Sequence, residues 1–260
     1  MSGPSRGDFL AIAGSKLEWR LFGAGDPPEI VLLHEGLGCV GLWGDFPERL
    51  AARTGRSVLA YSRAGYGASS PVPLPRAMSY MHDEARHVLP ALLDAIGFVR
   101  GVLVGHSDGA SIATIHAGDV VDRRVVGMTL IAPHFFVEDI SVAAIAEARK
   151  AYETSDLREK LARWHANVDN AFRGWNEAWL DPAFRHWDIS ACLETINCPV
   201  QVIQGTDDQY GTVRQVEVAR ARCSAPVETH LLPGVKHAPH REASETTLTL
   251  ISQFIARHLG

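Results

Sequence analysis

Short, wholly apolar runs alternate with amphipathic stretches along most of this chain. Ile30-Val31-Leu32-Leu33, Gly101-Val102-Leu103-Val104, Val125 to Ile131 and the run from Pro199 to Gln204 lack any strict in-and-out alternation. Such runs read as strands buried on both faces, the condition of strands in a parallel sheet. Ser57 to Tyr61 and Val227 to Leu232 fit the same role. Between them, Leu42 to Arg53, Tyr80 to Ile96, Ala110 to Ala117 and Val213 to Arg222 predict helices. In the second of these, Val88, Leu89, Leu92, Leu93 and Ile96 share one face. Repeated strand-then-helix units predict an α/β fold: a mostly parallel central sheet flanked by helices, with ligands collecting at the carboxyl ends of the strands.

Three stretches depart from that rhythm. Phe9 to Ala13 and Leu17 to Phe22, joined by Gly14-Ser15-Lys16, predict an opening hairpin at a sheet edge. Ser62 to Pro75 is a long loop of the kind that is functional or packed on itself. From about Val137 to Thr195 the pattern is helical without strands, and it holds Trp164, Trp175, Trp179 and Trp187. This predicts an inserted helical cap over residues 137–195, with the core formed by residues 1–136 and 196–260. A cap of this sort roofs a site, keeps water out and shapes a pocket for a small molecule. Trp164, Trp175 and Trp179 are therefore candidate pocket residues. The plainer alternative is that these rings only hold the cap together.

Composition narrows the classes without choosing among enzymes. At 46% hydrophobic and 21% charged residues the chain reads as globular. A net charge of -5 and the lack of any Lys/Arg cluster give no support for nucleic-acid binding. Cys39, Cys192, Cys198 and Cys223 match neither a zinc-ligand spacing nor a disulfide framework, and read as free thiols. No metal or cofactor motif is present in the sequence. Met1 to Asp8 lacks the apolar core of a signal peptide and no run approaches a membrane span. A soluble, cytoplasmic protein with a small-molecule partner is expected.

The candidate chemistry lies in four turns that follow predicted strands. Gly105-His106-Ser107-Asp108-Gly109 is a Gly-x-Ser-x-Gly sequence between a strand and a helix, the context of a nucleophile elbow. A serine hydroxyl needs a histidine to take its proton and an acid to orient that imidazole. Gly205-Thr206-Asp207-Asp208 and Gly234-Val235-Lys236-His237 each end a strand and supply those types. Ser107, an aspartate and a histidine then occur in the Ser…Asp…His order. The turn His34-Glu35-Gly36-Leu37-Gly38 offers backbone N–H groups for an oxyanion, from Gly36 or Leu37, with Asp108 supplying a second. Glu35 and His134 are further pocket candidates. His106, His134 and His240 read as structural histidines, the last hydrogen-bonding within the His237 loop.

On these motifs the chain resembles the α/β-hydrolase superfamily over nearly its whole length. The resemblance implies Asp208 rather than Asp207 as the acid and His237 rather than His240 as the base. It places the cap at Val137 to Thr195, and a serine at position 107 points away from the branches that attack with aspartate. Two positions depart from the family pattern: Glu35 stands where a glycine is common in the oxyanion turn, and Ser62 where many relatives carry aspartate. The resulting expectation is a serine hydrolase cleaving an ester or lactone through an acyl-enzyme. The same residues also serve carbon–carbon bond hydrolysis, for which Arg158, Arg163, Arg173 and Arg185 are available to hold a substrate carboxylate. A reading of another class is a non-catalytic receptor on the same scaffold.

Overall fold

A computed structural model describes residues 6–260, so the first five residues of the N-terminal reading lie outside it. The strands are β1 (Arg6–Ile12), β2 (Ser15–Phe22), β3 (Ile30–Leu33), β4 (Val58–Tyr61), β5 (Gly101–His106), β6 (Val125–Ile131), β7 (Val200–Gly205) and β8 (Val227–Leu232). They form one sheet in the order β1-β2-β4-β3-β5-β6-β7-β8. The β1–β2 and β2–β4 pairs are antiparallel and every other pair is parallel. β1 is the edge strand, so the predicted hairpin stands there. The central strands β3, β4, β5 and β7 are buried at every position, which explains their lack of in-and-out alternation, although β7 carries the buried Gln201 and Gln204.

The flanking helices are α1 (Phe46–Thr54), α2 (Tyr80–Asp83), α3 (Leu89–Ala95), α4 (Asp108–Ile115), α5 (Asp139–Thr154), α6 (Leu157–Ala162), α7 (Val168–Leu180), α8 (Val213–Arg222), α9 (Pro239–Glu242) and α10 (Ser244–His258). The expected helix from Leu42 begins four residues later as α1. Gly44, at φ 60°, breaks it from a short 3-10 turn at Val40–Trp43. The expected helix Tyr80 to Ile96 is continuous in direction but widens into a π-turn over Glu84–Val88 between α2 and α3. Pro90 has no N–H to give to the preceding turn, and the backbone adjusts just before it. Within that turn Glu84 is buried and accepts the Tyr61 hydroxyl at 2.9 Å.

Two apolar layers sandwich the sheet. One gathers Leu92, Leu103, Ile112, Met128 and Trp179; the other gathers Phe46, Leu50, Val104, Ile251 and Phe254. Between β6 and β7 the chain runs through α5, α6 and α7 and two short 3-10 turns, with a single bridge, Phe136 to Asp188, in place of a strand. All four cysteines are free. Among the described residues no helix is long and apolar enough to cross a membrane.

Candidate active site

The turn from β5 into α4 is strained at one residue. Ser107 adopts φ 53°, ψ -118°, a conformation an L-residue holds only when its surroundings force it. The flanking glycines make the turn possible. A Cβ on Gly109 would fall 2.0 Å from the Leu33 carbonyl oxygen, and one on Gly105 would fall 2.5 Å from the Gly109 carbonyl oxygen. β5 therefore lies so close to α4 that only glycine fits, and the Ser107 side chain is pushed out at the strand end.

β7 and β8 bring their turns to the same edge. Ser107 Oγ lies 3.0 Å from His237 Nε2, and His237 Nδ1 lies 2.9 Å from both carboxylate oxygens of Asp208. Asp208 accepts further bonds from the Tyr210 N–H at 2.8 Å and the Gln204 amide at 2.6 Å. Burial pushes its carboxyl up, but the hydrogen bond and charge of His237, with the Tyr210 N–H, outweigh that and hold it below the usual carboxylate range. Asp207, by contrast, is exposed and bonds the Thr206 hydroxyl, outside this chain of contacts. Gly205 lets the base loop cross, since a Cβ there would meet the Val235 carbonyl oxygen at 2.1 Å. Glu242 fastens that loop by accepting the N–H groups of Lys236 and Ala238, at 2.8 and 3.1 Å.

The turn after β3 is braced from beneath by Arg63, which is fully buried. It donates to the carbonyls of His34 and Glu35, the latter at 3.1 Å. His34 donates from Nδ1 to the Glu35 carbonyl at 2.7 Å and accepts the Arg63 N–H on Nε2 at 3.0 Å. Because C=O and N–H point opposite ways across a trans peptide, fixing the Glu35 carbonyl directs the Gly36 N–H away from Arg63. His165, from the segment between β6 and β7, donates to the Leu37 carbonyl at 3.0 Å and accepts the Gly67 N–H at 2.9 Å. Ser62, the second departure from the family pattern, packs this loop: it donates to Glu18 at 2.7 Å and accepts the Val40 N–H at 2.9 Å.

A cavity of about 280 Å³ opens on Ser107. Its walls include Gly36, Leu37, Asp108, His134, Ile145, Trp175, Trp179, Tyr210 and His237, with Glu35, Arg241 and Glu242 at a charged rim. Trp175 lies directly on the turn after β3, where a Cβ on Gly36 would meet its Nε1 at 2.2 Å. The Asp108 carboxylate points inward instead, accepting the Tyr80 hydroxyl at 2.6 Å and the Trp179 indole N–H at 3.3 Å, with Arg63 3.8 Å away. It thus ties the residue after Ser107 to helix α7. Glu35 folds over Gly38 with His106 at 3.4 Å and Arg241 at 3.8 Å. Burial raises its carboxyl, yet the contact with His106 and the charge of Arg241 bring it well below the usual range.

Several expectations change. Trp164 does not line the cavity; it is 46% exposed and covers Gly41. Its neighbour His165 carries the contact to the turn after β3 instead. None of Arg158, Arg163, Arg173 and Arg185 lines the cavity: Arg158 pairs with Asp169 and Arg185 with Asp139. His240 makes no hydrogen bond in the His237 loop. Both its ring nitrogens are buried without a partner, against Trp43 and His106. That loop is held by His106, whose Nε2 donates to the His237 carbonyl at 2.8 Å. Arg63, Tyr80, His165 and Glu242 were not singled out from sequence, since no local spacing marks a side chain that acts on a distant turn. Among the described residues no cluster of His, Cys, Asp and Glu could hold a metal ion.

With this geometry established, known proteins supply the class. The profile of the alpha/beta hydrolase family matches residues 30–248. The chain belongs to that family and is a hydrolase. It is 28% identical over 202 residues, 69% of this chain and 73% of the relative, to a Caulobacter sp. (strain K31) protein provisionally named carbamate hydrolase RutD. It is 27% identical to the dihydrolipoyllysine-residue acetyltransferase component of the acetoin cleaving system of Pseudomonas putida, over 95% of this chain and 68% of that one. Among solved structures, the enol-lactonase of Burkholderia xenovorans LB400 shares the fold, with a TM-score of 0.73 and 20% identity over 96% of this chain and all of the other.

Proposed function

We propose that this hydrolase cleaves a carboxylic ester or lactone of a small molecule through an acyl-enzyme formed on Ser107. The observation that carries the reading is the unbroken contact line from Ser107 Oγ through His237 to Asp208, at 3.0 and 2.9 Å. Ser107 Oγ attacks the carbonyl carbon while His237 Nε2 takes its proton, and Asp208 holds the imidazole in the tautomer that can accept. The tetrahedral oxyanion is met by the Asp108 N–H, the first of helix α4, and by the Gly36 N–H, directed by its braced peptide. His237 then gives the proton to the departing alkoxide. A water attacks the acyl carbon with His237 again as base, and the acid leaves as Ser107 Oγ recovers its proton.

Residues 137–195 act in this reading as a cap, supplying Ile145, Trp175 and Trp179 to the cavity. A cavity of about 280 Å³ suits a small substrate. No cap arginine lines it, and Arg241 at its rim already faces the Glu35 carboxylate at 3.8 Å, which weighs against a ring-fission dienoate as substrate. Four free cysteines and a net charge of -5 agree with a cytoplasmic setting. Turnover of short-chain p-nitrophenyl esters tests the proposal. Ser107→Ala is expected to lose roughly four or more orders of magnitude in kcat, and full turnover by that variant would refute it.

A further inference from the structure

The group in the cavity that triad chemistry leaves unused is His134. Its side chain is buried, its ring lies 5.6 Å from that of His237, and it meets Trp179 edge-on at 5.2 Å. Nδ1 is sealed within the protein with no hydrogen-bond partner. Nε2 has no protein partner among the described residues either, and it is the ring nitrogen left facing the cavity that His134 lines. An unpaired buried N–H is rarer and costlier than an unpaired buried acceptor. The proton therefore sits on Nε2, and Nδ1 carries the lone pair. Burial, reinforced by the proximity of His237, lowers the imidazole to about 3, so the ring is neutral across the working range.

The backbone that carries the ring is fixed on both sides. Ser111 Oγ donates to the His134 carbonyl at 2.7 Å, and the next N–H, that of Phe135, donates to buried Gln215 at 2.8 Å. Gln215 in turn donates to the Phe136 carbonyl at 3.1 Å and to Glu138 at 2.9 Å. Trp179, against the ring, is fixed by Tyr80 and Asp108. A donor with no internal acceptor, set beside Ile145, Trp175 and Trp179 in the cavity wall, has the form of a ligand contact.

Building on the acyl-enzyme reading, we propose that His134 is a substrate-binding residue whose Nε2–H donates to an oxygen near the scissile bond, so that the substrate is a hydroxylated or oxo-substituted ester or lactone. Ile145, Trp175 and Trp179 take the hydrocarbon part. A plain aliphatic ester in the same cavity leaves that N–H unpaired, and the enzyme discriminates against it.

Two matched sets of esters test this. On the acyl side they are p-nitrophenyl butyrate and its 2-hydroxy, 3-hydroxy and 3-oxo derivatives; on the alcohol side, propyl butyrate and 2,3-dihydroxypropyl butyrate. The wild type is expected to favour an oxygenated member of at least one set by about 10-fold or more in kcat/KM. His134→Phe and His134→Leu should erase that preference, the oxygenated esters losing about 10-fold or more in kcat/KM relative to the unsubstituted ones in the same variant. His134→Gln, which keeps an amide donor, should recover part of it. Equal treatment of plain and oxygenated esters by the wild type, or a preference that survives His134→Phe, would overturn the assignment. So would an equal loss on all esters in all three variants, which is the mark of a purely structural ring. Failure of the wild type to hydrolyse any ester, with Ser107 unreactive towards a fluorophosphonate, would instead bring down the acyl-enzyme reading and this assignment with it.

Discussion

Glu242 grips His237 from both sides: its carboxylate accepts the N–H of the residue before that histidine, at 2.8 Å, and of the residue after it, at 3.1 Å. His237 is thereby held by a helix α9 side chain as well as by Asp208 and by the bond from His106 to its own carbonyl. Glu242 is a positioning residue, and its carboxylate is solvent-exposed, so its loss is moderate. Glu242→Ala is expected to lower kcat about 3- to 10-fold with KM little changed. Glu242→Gln, which retains an acceptor oxygen, should recover most of it. Steady-state kinetics on one ester checks both, and a change in KM alone would show that the rim contact matters and the clamp does not.

Gly36 and Trp175 occupy almost the same space, and the close approach leaves no room for a methyl group. Gly36→Ala should displace the oxyanion turn or the indole and reduce kcat by about 100-fold or more. Opening the space with Trp175→Ala in the same chain should return part of that activity, a coupling visible in a double-mutant cycle. Independent, additive effects would mean that the turn absorbs the methyl elsewhere.

Helix α7, between β6 and β7, is fastened to the turn at Ser107 through the Asp108 carboxylate. Asp108→Ala leaves Arg63, Tyr80 and Trp179 facing a buried gap, with the Arg63 guanidinium uncompensated. A loss of about 3 kcal/mol is expected, read as a fall in the denaturant midpoint. The Asp108 backbone N–H persists in this variant, so the protein that remains folded should still react at Ser107.

How much of this was open to reading from the sequence follows from where the signal is local. Ser107, Asp208 and His237 each end a strand, and glycines at 105, 109 and 205 mark the close backbone approaches there. The sheet was legible because β3 and the body of β5 are unbroken apolar runs and β7 shows no in-and-out alternation. The bracing was not. Arg63 reads as a loop cation, yet it lies buried under the turn at His34 and Glu35. Trp164 and His165 are neighbours of which the ring looked like the pocket residue, and it is the imidazole that reaches Leu37 across more than a hundred residues. One face of a short turn decides such cases, and no periodicity reveals it.

Acid sensitivity should come from histidines held neutral by burial. His240, with both nitrogens unpaired, is kept well below its ordinary value by burial, and then by the charge of His106. The unfolded chain takes up a proton there near pH ~6.5 while the folded one does not. Its contribution to stability is complete above that pH and is lost as the pH falls below it, by up to about 1.4 kcal/mol per pH unit. His34 and His134 act in the same direction. Denaturant titrations between pH 7 and 5 should show falling stability, and His240→Phe should make the fall shallower. An unchanged slope in that variant would mean that His240 titrates in the folded state.

The central claim is that His237 and Asp208 make Ser107 a nucleophile. Treating the protein with a fluorophosphonate and locating the adduct by peptide mass spectrometry tests it most directly, with Ser107→Ala and His237→Ala beside it. The account predicts one adduct, on Ser107 of the wild type, lost in both variants. An adduct on another residue, or labelling of Ser107 that persists undiminished without His237, would contradict it.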